Sequence, residues 1–193
     1  MTKFFYWCPY LSHVATITNV INSAISLRKY KTKSQVSLIE TIGEWQFAKE
    51  NLSKYNIKIE KLTNLSFDAN KVGFFKSRLY LTYIFFVNFF PFIKLLKTKK
   101  PDFLIVHLLT SLPLLSLIFF KFKTRFILRI SGLPKLNFFR KFLWKLVSRD
   151  IYLVTCPSEE TLNYIKKLNI FEDEKLKVLY DPIINVSNIN KKK

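Results

Sequence analysis

The sequence predicts an α/β fold in which a doubly wound, mostly parallel sheet carries helices on both faces. Strand-length apolar segments alternate with helix-length segments along the whole chain. The strand-like segments are nearly continuous runs of apolar and β-branched residues, which is typical of strands buried on both faces. No linker rich in glycine and serine interrupts the 193 residues, and 49% of them are hydrophobic. We therefore expect a single domain with an extended core.

Seven strands and six helices are predicted from these patterns. The strands are expected at 3–8, 35–40, 57–62, 102–107, 125–131, 151–156 and 175–181. The helices are expected at 14–30, at 44–55, at 74–100, after residue 107 as far as about 121, at 137–149 and at 157–168. Pro91 is expected to interrupt the third helix, because proline removes a backbone hydrogen bond. We assign 1–182 to the α/β domain and 183–193 to a tail or the start of a connector.

Positive charge is concentrated in the middle of the chain. The formal net charge is +19, with 32 Lys and Arg against 13 Asp and Glu. Residues 71–149 contain 16 of the basic residues, 15 of the 20 phenylalanines and one acidic residue, Asp102. Basic residues mixed with bulky aromatics suit an anionic membrane surface, where each Lys or Arg contributes about 1 kcal/mol. Nucleic acid and an ordinary solvated basic face are the alternatives.

Two segments are candidates for contact with a membrane surface. The uncharged runs at 79–93 and 104–120 are shorter than the ~20 residues that a spanning helix needs, so we expect 79–100 to lie in the interface. The helix at 137–149 is amphipathic, with a basic side opposite a stripe of Phe and Leu. The predicted membrane-facing residues are Phe89, Phe92, Lys94, Lys97, Arg140, Lys141, Trp144 and Lys145. A core helix with a basic end, and a tryptophan that caps a crevice of the protein, are the alternatives.

Polar residues follow several of the predicted strands. Ligands of open α/β sheets bind beyond the carboxyl ends of the strands, and a helix N-terminus there can bind an anion. The candidate site residues are Ser12, His13 and Thr16 after the first strand, His107 after the fourth, and Arg129, Ser131 and Gly132 at the end of the fifth. Each histidine also fits a structural role, and Arg129 also fits an ion pair with an acid such as Asp102.

Several standard motifs do not occur in the sequence. Glycine is found at positions 43, 73 and 132 alone, so neither the dinucleotide-binding motif nor the P-loop is present. The two histidines and two cysteines lack metal-ligand spacing, and we expect no metal site. Cys8 and Cys156 are expected to be small residues of the core.

Five segments carry a resemblance to a known family. They are FFYWCPYLSHVATITNVINSAISL (4–27), PDFLIVHLLTSLPLL (101–115), RFILRISGLPKLN (125–137), YLVTCPSEETLNYIKKL (152–168) and KVLYDPI (177–183). In this order they resemble the N-terminal, acceptor-side half of the retaining, nucleotide-sugar-dependent glycosyltransferases with the GT-B fold. The first segment is similar to the start of such enzymes from surface-polysaccharide pathways.

The resemblance implies a function as well as a Rossmann-like half of a GT-B fold. It implies transfer of a sugar from a nucleotide sugar to a lipid-linked or cell-surface glycan, by a cytoplasmic enzyme that is peripheral on the inner face of the plasma membrane. His107 matches the strand-end histidine that lines the reaction centre, and neither a cofactor nor a metal is implied. Residues 1–182 then form the acceptor-side domain and the donor-binding half is absent, so we expect this chain alone to be inactive. The alternative is a noncatalytic basic α/β module that binds anionic membrane or, as the less expected partner, nucleic acid.

Overall fold

Seven parallel strands form the sheet. The computed structural model describes residues 1–11, 14–65, 74–134 and 136–182, with the backbone alone for 74–77. The strands are β1 (Thr2–Trp7), β2 (Ser34–Glu40), β3 (Lys58–Lys61), β4 (Phe103–Val106), β5 (Arg125–Arg129), β6 (Ile151–Cys156) and β7 (Leu176–Val178). Their order in the sheet is β3-β2-β1-β4-β5-β6-β7, and all six pairings are parallel. The predicted α/β fold with a parallel sheet is confirmed.

Six α-helices connect the strands. They are α1 (Ala15–Tyr30), α2 (Lys49–Lys54), α3 (Phe74–Lys99), α4 (Ser111–Phe119), α5 (Phe138–Val147) and α6 (Glu159–Lys167). Short 3-10 turns at Gln46–Ala48 and Asp173–Lys175 precede α2 and β7. Each predicted strand and helix is present, with ends that differ by a few residues from those expected.

The direction in which strands are added to the sheet reverses between β1 and β4. The chain builds β2 and β3 outward on one side of β1, and α3 then returns it to β4 on the other side. The peptide N–H of His107 continues the β1–β4 pairing by donating to the carbonyl of Trp7 at 2.9 Å. In open α/β sheets the crevice at such a reversal is where ligands bind.

A hydrophobic core lies on each face of the sheet. On the first face, α1 packs through Ile17 and Val20 against a core that includes Tyr6. On the second face, the inner sides of α3, α4, α5 and α6 pack against a core that includes Trp7 and Leu128. Successive residues of a strand point to opposite faces, which places the neighbours Tyr6 and Trp7 in different cores. Helices therefore cover both faces, as predicted.

Helix α3 continues through Pro91, so the predicted interruption there is wrong. A proline inside a helix costs about 3 kcal/mol. The inner side of α3 is firmly packed around this residue, since Asn88 and Phe92 are fully buried and Ile84 is 1% exposed. Burial of this side outweighs the lost backbone hydrogen bond.

One helical segment of the described chain, Arg78–Lys99, is long and apolar enough to cross a membrane by length and composition alone. In its most apolar window, 33% of the residues are buried inside the protein. Phe92, Leu95 and Leu96 of this segment belong to the second core. The segment is thus a packed helix of this domain that also has an exposed side.

Candidate functional site

Three polar residues lie side by side where β4, β5 and β6 end. Val106 of β4 pairs with Leu128 of β5. The residues that follow them, His107 and Arg129, are therefore neighbours. Arg129 in turn pairs with Thr155 of β6. Because the strands are parallel and their side chains alternate between faces, all three side chains point to the first face. The sheet therefore assembles a row of polar groups from three distant parts of the sequence.

His107 is buried and neutral. Its ring stacks on that of Tyr6, with ring centroids 6.1 Å apart. His107 as a whole is 8% exposed. Burial, followed by the positive charge of Arg129, lowers the pKa of His107 from 6.5 to about 3. Neither ring nitrogen has a hydrogen-bond partner among the described residues. A neutral imidazole can donate from one nitrogen and accept at the other, so the ring has one donor and one acceptor that no described residue satisfies.

Arg129 is held by one acidic residue from the end of the described chain. Its Nη2 donates to Oδ1 of Asp181 at 2.6 Å, and the arginine side chain is 4% exposed. Nη1 has no partner in the part of the chain that the structure describes. The alternative that Arg129 pairs with Asp102 is wrong, because Asp102 immediately precedes β4 and so lies at the opposite end of the strands. There its Oδ2 accepts from the peptide N–H of Lys3 at 2.7 Å.

Two cavities meet at His107 and Arg129. The outer cleft, of about 370 Å³, lies between the loops that follow β4 and β5 and the inner side of α5. Thr110, Ser131 and Arg140 contribute polar groups to its lining. The inner cavity, of about 120 Å³, lies between α1 and residues 179–182. His107 and Arg129 therefore line both cavities.

The loop after β4 adopts an unusual backbone conformation beside the outer cleft. Leu109 has φ +47°, in the left-handed region that a branched side chain rarely adopts. Its carbonyl accepts a hydrogen bond of 3.2 Å from the indole Nε1 of Trp7, which is fully buried. Strained backbone clusters at ligand sites, and here a core tryptophan fixes the loop that follows His107.

The other site residues predicted from the sequence are dispersed. Ser131 and Gly132 line the outer cleft as expected of them. A Cβ added to Gly132 would meet no described atom within 4 Å. Steric crowding therefore does not require a glycine at this position of the cleft wall. Thr16 lies half-buried in the first turn of α1 and lines neither cavity. Ser12 and His13 lie outside the described residues.

Three residues of the site were not predicted from the sequence. Thr155 is 3% exposed and its Oγ1 has no partner among the described residues. The strand register would have indicated Thr155, because Thr155 pairs with Arg129 across β5 and β6. Asp181 follows β7, where no register fixes its position. Asn19 of α1 lines the inner cavity, and only the packing of α1 on the sheet places it there.

The outer side of α3 presents an apolar stripe to solvent. Leu79, Tyr83, Phe86 and Phe90 are exposed and recur at the three- and four-residue intervals of one helix face. Lys94 and Lys97, predicted to face a membrane, are exposed toward the end of the same helix. Phe89, predicted with them, is half-buried against the second core.

Two of the predicted membrane-facing residues are buried, and those predictions are wrong. Phe92 is fully buried and packs edge-on against Trp7, with ring centroids 4.9 Å apart. Trp144 is 3% exposed and packs against Phe171, with ring centroids 5.7 Å apart. Each lies on the helix side that covers the sheet, and that side is determined by packing rather than by local charge.

Helix α5 is consequently rotated from the orientation expected, with Trp144 buried and the predicted phenylalanine stripe exposed. Trp144 and Val147 point into the core, whereas Phe138 and Phe142 are 78% and 55% exposed. The predicted membrane-facing residues Arg140, Lys141 and Lys145 are exposed as expected. Helices α3, α4 and α5 together carry a set of exposed apolar residues that we call the apolar helical surface. Its members are Leu79, Tyr83, Phe86, Phe90, Ile118, Phe119, Phe138, Phe139, Phe142 and Leu146. Helices α3, α4 and α5, which carry it, contain no Asp or Glu.

The parallel sheet and the cleft beyond β4 and β5 together define an α/β protein of the kind that binds ligands at its strand ends. The sequence matches no protein-family model, and no curated protein matches it.

Solved structures identify the fold more closely. HepE from Anabaena, in complex with UDP and glucose, is 15% identical with a TM-score of 0.57, over 94% of this chain and 44% of that one. UDP-GlcNAc 2-epimerase from Neisseria meningitidis, bound to UDP-GlcNAc, is 18% identical with a TM-score of 0.62, over 99% and 49%. MurG from Acinetobacter baumannii is 12% identical with a TM-score of 0.56, over 97% and 47%. The chain thus spans about half the length of these proteins, and its fold is that of one half of a GT-B structure, as the sequence resemblance implied.

Proposed function

We propose that this chain is the acceptor-side half of a glycosyltransferase that moves a sugar from a nucleotide sugar to a lipid-linked or cell-surface glycan. One observation carries the proposal: His107 and Arg129 lie buried side by side at the strand ends, with polar atoms that have no partner among the described residues. Both residues line a cleft of a size suited to a small ligand. Two structures of similar fold were solved with UDP or UDP-GlcNAc, which supports a nucleotide sugar as the donor.

His107 orients the acceptor hydroxyl in this proposal. With a pKa of about 3, the imidazole stays neutral at pH 7 and can accept a hydrogen bond from the hydroxyl. A base of such low pKa does not remove the proton before the reaction begins. Its contribution is to hold the hydroxyl oxygen in line with the sugar carbon that it attacks.

Arg129 supplies positive charge to the same place. Its Nη2 is engaged by Asp181, while Nη1 has no partner in the described chain. A buried guanidinium forms strong, charge-assisted hydrogen bonds with phosphate oxygens. We assign it to a phosphate of the acceptor or the donor, which would lie next to the hydroxyl held by His107.

Transfer needs a second half that completes the cleft. The structures of similar fold are about twice as long as this chain, and we propose that the donor nucleotide binds mainly to the half that this chain does not include. We therefore expect the purified chain to bind acceptor and to transfer no sugar by itself. The proposal involves no metal, and the described residues bring no three His, Cys, Asp or Glu side chains close enough to hold one.

The apolar helical surface docks the protein on the inner face of the plasma membrane in this proposal. Exposed phenylalanines beside Lys94, Lys97, Lys141 and Lys145 combine apolar insertion with attraction to anionic lipid. A docked domain meets lipid-linked acceptors within the plane of the membrane, which raises their local concentration at the cleft.

A calorimetric titration tests the proposal. The full chain is titrated with a prenyl diphosphate-linked monosaccharide, and we expect saturable binding that His107→Gln and Arg129→Gln each weaken about tenfold, the loss of one buried hydrogen bond. Thr16→Ala, which leaves both cavities unchanged, is the matched control. Saturable RNA binding at physiological salt without acceptor binding would favour the noncatalytic basic module instead.

A further inference from the structure

A groove between α4 and α5 adjoins the outer cleft. It has a volume of about 400 Å³, within the range of pockets that hold small molecules. Most of its lining is apolar, from Leu115, Ile118, Leu143 and Leu146, together with two phenylalanines of α5. We call it the α4–α5 groove. It belongs to the face that bears the apolar helical surface.

The groove and the outer cleft share part of their lining. Leu109, Thr110 and Arg140 contribute to both. Polarity changes across this junction, because the groove is largely apolar whereas the cleft holds His107 and Arg129. A ligand that occupied both would need an apolar chain, an anionic group at the position of Arg140, and a polar head.

We propose that the α4–α5 groove binds the single apolar chain of a lipid phosphate, with the phosphate at Arg140 and the head group in the outer cleft. The identity of the head group rests on the proposed function, but binding of the chain and phosphate does not. The groove thereby selects the acceptor by its lipid as well as by its sugar.

Charge and exposure at the groove favour this occupant. Phe139 and Ile118, at its rim, are 78% and 41% exposed, and an apolar chain would remove them from water. Lys141 and Lys145 are exposed on the same helix, and α4 and α5 contain no acidic residue. Such a rim attracts a phosphate and disfavours a basic partner, and the apolar lining disfavours a wholly polar one.

The experiment is a titration of the full chain with farnesyl phosphate below its micelle concentration. Farnesol and inorganic phosphate, which each lack one part of the ligand, are titrated in parallel. We expect one farnesyl phosphate per chain, bound at least tenfold more tightly than either fragment. Phe139→Ala and Phe142→Ala should each weaken it about tenfold, because each truncation loses apolar contact worth about 1.4 kcal/mol. Both side chains are largely exposed, so the fold tolerates these changes.

Two further variants separate this inference from membrane docking. Arg140→Gln should abolish the preference for farnesyl phosphate over farnesol. Phe86→Ala, on the outer side of α3 and outside the groove lining, should weaken binding to anionic vesicles and leave the affinity for farnesyl phosphate unchanged. Absence of saturable farnesyl phosphate binding, or equal affinity in wild type and the Phe139 and Phe142 variants, overturns the groove proposal while leaving vesicle binding as an independent result.

Discussion

The guanidinium of Arg129 and the carboxylate of Asp181 form an ion pair of 2.6 Å that fastens the end of the described chain to the strand-end row. The arginine is 4% exposed and the carboxylate 19%. The Nδ2 of Asn22 in α1 adds a hydrogen bond of 2.8 Å to the carbonyl of Pro182. Residues 181 and 182 are therefore tied both to the sheet and to α1, directly over the inner cavity.

Asp181→Asn should destabilise the protein substantially. Removing one partner of a buried ion pair leaves the other charge unpaired, which costs about 2–5 kcal/mol. Urea unfolding measures the change in the free energy of unfolding. The matched control is Asp173→Asn, whose partner Lys166 lies 3.4 Å away and whose side chain is 72% exposed. Its effect should be below about 1 kcal/mol, and equal losses in the two variants would show that the buried pair contributes nothing special.

Burial of His107 should make the protein less stable in acid. The folded-state pKa is about 3 and the ordinary value 6.5, so the unfolded chain takes up a proton first as the pH falls. The free energy of unfolding should therefore decrease below pH 6.5, by up to about 1.4 kcal/mol per pH unit from this group until the pH nears 3.

Comparison with His107→Gln isolates this contribution from those of the carboxylates. The difference in the free energy of unfolding between wild type and variant is measured by urea unfolding at pH 7, 6, 5 and 4. We expect it to shift steadily against the wild type as the pH falls. A difference that stays constant over this range would mean that the histidine is solvated in the folded protein.

The two sides of α5 should respond in opposite ways to substitution. Trp144→Ala removes a buried indole and should cost about 3–5 kcal/mol of stability. Phe138→Ala removes a ring that is 78% exposed and should change stability by less than about 0.5 kcal/mol. Thermal or urea unfolding of the two variants checks this. A larger loss with Phe138→Ala would restore the orientation of α5 expected from its charge pattern.

Vesicle binding should depend on the outer side of α3. We expect co-sedimentation with vesicles that contain phosphatidylglycerol, reduced severalfold by Phe86→Ser or Phe90→Ser and abolished at high salt. Phe47→Ser, an exposed residue outside the three helices, is the control and should have no effect. Equal binding to neutral vesicles would contradict the contribution of the lysines.

The strand-end row could be predicted from the sequence because it depends on strand pattern alone. Seven apolar runs predicted the strands of the sheet. Parallel pairing then places His107 and Arg129 at the same end of neighbouring strands. The position of Asp181 could not be predicted, since it lies in the irregular segment after the last strand, whose path depends on packing against α1. The alternative partner, Asp102, immediately precedes β4 and is excluded by the same parallel geometry that places the row at the other end of the strands.

The orientation of α5 shows where local pattern fails. Its sequence contains two apolar sides, one with Phe138 and Phe142 and the other with Trp144 and Val147. Phe171, which is distant in the sequence, packs against Trp144 with ring centroids 5.7 Å apart. This contact makes the side with Trp144 and Val147 the buried one. Pro91 is a similar case. Packing of the buried side of α3, and not the hydrogen bond that proline removes, determines that the helix continues.

The most direct test of the strand-end acceptor site uses the indole N–H signals of the three tryptophans in an NMR titration with a prenyl diphosphate-linked monosaccharide. Trp144 lines the outer cleft and its buried Nε1 has no partner among the described residues, whereas that of Trp45 donates to the carbonyl of Ile39 at 3.0 Å in the other core. The signals are assigned with Trp144→Phe and Trp45→Phe. We predict a saturable shift of the Trp144 signal with the Trp45 signal unmoved. A Trp144 signal that stays in place throughout the titration would contradict an acceptor site at the strand ends.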